Sequence, residues 1–151
     1  MCRVGFLVLL FAAFCIGCGE APVTDIAEFS DLHPVSGTIS FRGRPMSGGT
    51  VRLHSASATS SNGQLDVHSG IVREDGSYEV HTFRPSGRGL GVPAGEYFLS
   101  FSWLGVDEGQ PDVSQDELPE RLPLKFTRPQ TSGVKATVLE GGSVVPDIDL
   151  K

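Results

Sequence analysis

From His33 onward, apolar and polar positions alternate along the chain. Val35, Gly37, Ile39 and Phe41 are interleaved with Ser36, Thr38 and Ser40, and a period of two predicts a strand with one buried face. Thr50–Ser55 repeats the pattern with Val51 and Leu53 on one side. Residues 70–73 form a short third run, and residues 77–83 a fourth with Tyr78 and Val80 on one face. Asp75-Gly76 lies between these runs and reads as a hairpin turn. The strongest run is 96–104, where Tyr97, Leu99, Phe101 and Trp103 alternate with Phe98, Ser100 and Ser102. Val134, Ala136 and Val138 mark a sixth strand, Gly141-Gly142 a turn, and Val144, Ile148 and Leu150 a last strand.

Polar, Gly-rich or Pro-rich stretches separate these runs. Arg42-Gly43-Arg44-Pro45 and Gly48-Gly49 break the chain early, residues 56–63 and 84–92 read as loops, and residues 105–129 as an acidic, Pro-bearing excursion. No helix longer than two or three turns fits between the glycines and prolines. About seven short strands with turn signals at such intervals predict an all-β fold, an antiparallel β-sandwich spanning residues 33–151.

The N-terminus follows another rule. After Arg3, residues 4–16 form an apolar run of 13 residues. A membrane span needs about 20, whereas this length suits the core of a secretory signal. The run ends Cys15-Ile16-Gly17-Cys18-Gly19. A small residue followed by Cys resembles the lipobox of bacterial lipoproteins. That resemblance implies cleavage after Gly17 and acylation of both the Cys18 thiol and the new N-terminus. Cys15 stands where the family usually has Leu or another aliphatic residue, and cysteine is comparably apolar. A redox or haem Cys-x-x-Cys is excluded because the pair lies in the segment to be removed and Gly19, not His, follows it. One acyl chain holds a protein only marginally, and stable anchoring takes two or more. The chain therefore divides into a signal peptide (1–17), a lipid-anchored tether (18–32) and a domain (33–151). Ile26, Phe29 and Leu32 share one side of a short helical pattern that is marginal alone, so the tether is expected to be mobile. Gly19 stands in place of the Asp linked to inner-membrane retention in some bacterial lipoproteins, which favours the outer membrane.

Composition narrows the role. The 151 residues include 19 Gly and 10 Pro, are 39% hydrophobic and carry a net charge of −6. That suits one turn-rich domain and excludes a coiled coil. With no basic patch to offset phosphates, nucleic acid is excluded as a partner. Removing residues 1–17 takes away Arg3 and leaves 11 basic and 18 acidic residues (12 − 1 and 18 − 0). The only cysteine left is Cys18, so the core alone must hold an exported fold without a disulfide.

Several short motifs, taken in order, resemble a known domain family. Val35-Ser36-Gly37-Thr38-Ile39, Gly43-Arg44-Pro45 and Gly49-Thr50-Val51 resemble the start of carboxypeptidase-regulatory-like domains. Asp75-Gly76-Ser77-Tyr78 and Pro93-Ala94-Gly95-Glu96-Tyr97 resemble their later strand starts. Leu118-Pro119 and Thr131-Ser132-Gly133 are similar to a group of small bacterial lipoproteins carrying this domain. Over about residues 34–151 the resemblance implies a prealbumin-like sandwich, as in transthyretin, non-enzymatic in most members.

No residue pattern calls for chemistry. Transthyretin-related hydrolases end in Tyr-Arg-Gly-Ser, whereas this chain ends Asp147-Ile148-Asp149-Leu150-Lys151. A pilin-type Lys–Asn isopeptide bond is not expected: the single Asn62 lies in a loop, and the first strand has Arg42 and Arg44 but no Lys. No serine sits in a Gly-x-Ser-x-Gly elbow. His54, His68 and His81 are ligand types for zinc or copper, with His54 and His81 off the core face, but their spacing matches no compact metal motif. Asp107, Glu108, Asp112, Asp116, Glu117 and Glu120 cluster without a calcium-loop pattern. Tyr78 and Tyr97 read as core rings whose hydroxyls reach backbone groups. Phe83, Phe98 and Phe126 are the aromatics available for a sugar face, with Trp103 inward. No catalytic, cofactor or metal residue is assigned. The expected role is a non-catalytic interaction or structural module at the bacterial envelope, held by lipid on Cys18 and facing an envelope protein or glycan. The alternative is a carbohydrate- or metal-binding module.

Overall fold

The structure is a computed structural model and describes residues 29–57, 66–105 and 118–151. These residues form an open sandwich of two sheets. The first is antiparallel throughout, in the order β7-β6-β4-β3-β8-β9. Its strands are β3 (Thr50–Ser55), β4 (Val67–Ile71), β6 (His81–Arg84), β7 (Gly87–Leu90), β8 (Gly95–Ser102) and β9 (Lys135–Val138). The second is organised around β1 (Val35–Phe41). The first half of β1 pairs with β5 (Ser77–Glu79) and β10 (Ser143–Val144), and its second half with β2 (Arg44–Pro45) and β11 (Ile148–Leu150). Pairing is antiparallel to β2 and β5 but parallel to β10 and β11. The second sheet is thus mixed: β10 and β11 come after β9 of the other sheet and run in the same direction as β1.

The period-two faces meet in the middle. Val51, Leu53, Leu99, Phe101 and Trp103 from the first sheet pack with Val35, Ile39, Tyr78 and Leu150 from the second. Trp103 is buried as expected, and its indole N–H donates to Ser47 O at 2.9 Å. Cross-strand partners share a face, so the Val51–Phe101 and Leu53–Leu99 pairs fix the register of the inner layer.

The run 77–83 is two strands, not one. Residues 77–79 join β1, whereas 81–84 join β4 and β7. Tyr78, Val80 and Thr82 all stay buried through the crossing, so alternation continues while the chain changes sheets. Asp75-Gly76 accordingly turns a corner between sheets, with a single bridge, Val72–Tyr78, across it. The crossing passes over Gly70, where a Cβ would lie 2.3 Å from Glu79 O. Only a residue without a side chain lets the two backbones approach this closely.

Three further differences have local causes. Residues 84–92 contain β7, which pairs with β6 through a two-residue turn at Pro85 and Ser86. Its inward position is Gly89, whose space is filled by Phe29 and Leu32, so no apolar residue within the strand announces it. Near the C-terminus Val144 is exposed and Val145 is buried, because β10 contributes only two residues before the chain bends inward. The described end of the excursion lines β8. Arg121 N donates to Trp103 O and Phe101 N to Phe126 O. A single helical turn, α1 (Pro129–Ser132), follows and ends at left-handed Gly133.

Candidate functional site

Two features of the molecule merit a chemical reading: a buried polar network at one end of the sandwich, and the outer face of the six-stranded sheet. Gly17 and Cys18, the expected cleavage and lipidation positions, lie outside the described residues, as do Asn62, Asp107, Glu108, Asp112, Asp116 and Glu117.

The network starts at His68 on the inner face of β4, opposite Leu53. Thr82 Oγ1 donates its one proton to Gly91 O at 2.6 Å. The 2.8 Å contact between His68 Nδ1 and Thr82 Oγ1 is therefore an Nδ1–H donation to the hydroxyl. Burial pushes the His68 pKa below its ordinary value, only partly opposed by the nearby Asp66 carboxylate. The Tyr97 ring meets His68 edge-on, with centroids 5.6 Å apart, and its hydroxyl donates to Pro93 O at 2.8 Å. Burial also raises the Tyr97 pKa to about 12. Beside them Arg84 donates from Nη1 and Nη2 to both oxygens of Asp31 and from Nε to Asp66 at 2.9 Å. Those bonds hold the guanidinium above its ordinary range and the Asp31 carboxyl below its own. Arg84 also stands over the Phe29 ring at 4.8 Å.

In this network the His68 Nδ1 proton goes to the Thr82 hydroxyl and the Thr82 proton to a carbonyl. Its chemical effect is mechanical: it clamps residues 29–33 onto β6 and β7. His33 N donates to Val92 O at 2.8 Å and completes the attachment. Phe29–Leu32, assigned to the tether by the sequence pattern, thus pack on the domain, and residues 18–28 lie outside the described residues.

The histidines do not converge. His68 faces inward, whereas register places His54 and His81 on the outer face. Among the described residues no three His, Cys, Asp or Glu side chains are grouped to hold a metal ion. His54 Nε2 is hydrogen-bonded to Ser100 Oγ at 2.8 Å, and burial lowers its pKa. Glu120 accepts from Ser102 Oγ, Trp103 N and Leu122 N, so it is a backbone clasp for the end of β8. Of the aromatics considered for a sugar face, Phe126 is buried and Phe98 lies under Lys135 Nζ at 5.0 Å. Only Phe83 offers an exposed ring.

Phe83 belongs to a larger surface. Strand alternation puts Val67 and Ile71 of β4, Phe83 of β6 and Leu90 of β7 on the outer face, with Leu104 following β8 on the same side. These are five of the eight exposed large hydrophobics among the described residues, with exposures from 43% to 73%. Monomeric soluble proteins rarely gather exposed apolar side chains in this way unless the patch is used. Sequence alternation shows the inward residues of each strand, but only pairing sets Val67 opposite Phe83 and puts Leu90 on the next strand of the same face. Comparison with protein-family models, curated proteins and solved structures finds no match.

Proposed function

We propose that this chain is a lipid-anchored, extracytoplasmic, non-catalytic interaction module of the bacterial envelope, with a domain of the carboxypeptidase-regulatory-like type. The concentration of exposed apolar side chains on one sheet face carries this reading. A surface built on a rigid sheet, with the inner face occupied by the core, is suited to docking. The apolar run ending at Gly17-Cys18 supports the address, and Gly19 favours the outer membrane. The clamp around Arg84 then joins a lipid-borne segment to the sandwich.

The test uses Cys18→Ala in the intact chain. Loss of fatty-acid labelling and release from membranes are expected, whereas label persisting on the variant would sink the anchor. Cross-linking in intact cells of the native host tests the docking role. Capture that disappears with Phe83→Asp supports it, and capture indifferent to that change counts against this face.

A further inference from the structure

We infer that the outer face of the six-stranded sheet lies against an anionic lipid surface. The inference rests on the docking reading of that face and names its occupant. Three observations lead to lipid. The first is charge. The chain carries −6 overall, yet among the described residues the charged outward side chains of this face are Arg52, Arg88 and Lys135 against two acids, Glu96 and the hydrogen-bonded Glu120 beside Leu104. Cations among apolar side chains suit a bilayer, because the apolar groups enter the acyl boundary while long basic side chains reach phosphates. The second is self-repulsion. Two copies meeting through this face would each bring a surface with more cations than acids to the contact, which opposes a face-to-face dimer.

The third is the length and docking point of the preceding chain. Residues 19–28 separate Cys18 from Phe29, and the 11 steps from Cys18 to Phe29 span at most about 36–40 Å when extended. Phe29 sits over Gly89 of β7 and under Arg84 of β6. Those two strands carry Leu90 and Phe83 on their other side. The preceding segment therefore meets the domain within one sheet thickness of the apolar face, and a lipid-borne chain of that length keeps the β6–β7 end of the sheet within reach of the bilayer.

The experiment places a reporter on the face. Full-length Phe83→Trp protein is reconstituted into phosphatidylcholine–phosphatidylglycerol vesicles with brominated acyl chains. Buried Trp103 in the unaltered protein supplies the baseline. The new indole should lose roughly half its emission to the bromines, because its ring sits at the acyl boundary. Adding Ile71→Asp and Leu90→Asp should return it to baseline, and vesicles of phosphatidylcholine alone should weaken the effect. Leu90→Trp repeats the measurement if Phe83→Trp folds poorly by circular dichroism. A water-like, unquenched indole at both positions overturns the inference, whether a protein, a second copy or nothing covers the face. Fatty-acid labelling of the same protein reads the anchor separately. Quenching without label keeps the lipid-facing surface and removes the anchor, and label without quenching does the reverse.

Discussion

At the residue scale, the two tyrosines look alike in sequence but carry different loads. Both rings are buried, yet only Tyr97 places its hydroxyl on a backbone acceptor, Pro93 O. The Tyr78 hydroxyl is buried without a hydrogen-bond partner among the described residues, and burial raises its pKa to about 12. It lies over Gly37, where a Cβ would be 2.7 Å from the hydroxyl oxygen, and so Gly37 has no room for a side chain. Tyr78→Phe should leave stability unchanged or raise it slightly, because an unpaired buried hydroxyl is a cost. Tyr97→Phe should cost about 1 kcal/mol, the usual net value of one hydrogen bond. Urea unfolding of both variants checks the contrast, and equal losses would contradict it. His68 supplies a pH dependence with a definite sign. Its folded pKa lies below the ordinary 6.5, so below that pH the unfolded chain takes up a proton that the folded chain resists. Stability should fall as pH drops below about 6.5, and His68→Gln should flatten that part of a melting-temperature profile. An unchanged slope would assign the effect elsewhere, with His54 the next candidate because its pKa is also lowered by burial.

At the scale of elements, the attachment of residues 29–33 depends on one side chain. Arg84 is 16% exposed and holds Asp66 and Asp31, 20% and 52% exposed. Arg73–Glu79 is a pair of similar chemistry at 55% and 47% exposure. Burial decides the difference between them, because solvent screens an exposed pair and each of its charges stays hydrated when the other is removed. Arg84→Met should destabilise the domain by about 2 kcal/mol, since it strands the Asp66 carboxylate and strips the support of Phe29. Arg73→Ala should change stability by less than about 0.5 kcal/mol. Hydrogen exchange gives a second readout: the His33 amide, bonded to Val92 O, should exchange faster in Arg84→Met and not in Arg73→Ala.

At the scale of the whole molecule, two sheets enclose one apolar layer without covalent help. All three cysteines lie at positions 2, 15 and 18, ahead of the first described residue. Reducing agent should therefore leave the unfolding midpoint of the domain unchanged, and a drop in melting temperature with dithiothreitol would contradict a core-only fold. The outward surface is equally informative at this scale. A strand that places Val67 and Ile71 outside is unremarkable alone. With Phe83 and Leu90 it forms one apolar face, on which the proposed docking rests.

Alternation along β1, β3 and β8 determined the all-β class, the inward residues and the burial of Trp103, because period two is local and a buried face leaves its trace in each strand separately. The chain itself likewise shows the Gly17-Cys18 pair on which the proposed anchor rests and the absence of later cysteines. What only the tertiary structure decided was which strand joins which sheet. Tyr78, Val80 and Thr82 alternate smoothly across a change of sheet, since an inward position looks the same from either layer of a sandwich. β7 left no local trace because its inward residue is Gly89, and the apolar groups that fill the space, Phe29 and Leu32, come from 57 or more positions earlier (89 − 32). The clamp on Arg84 and the outer face were hidden for the same reason. Each is assembled from residues distant in sequence, and pairing between strands, which alternation does not encode, brings them together.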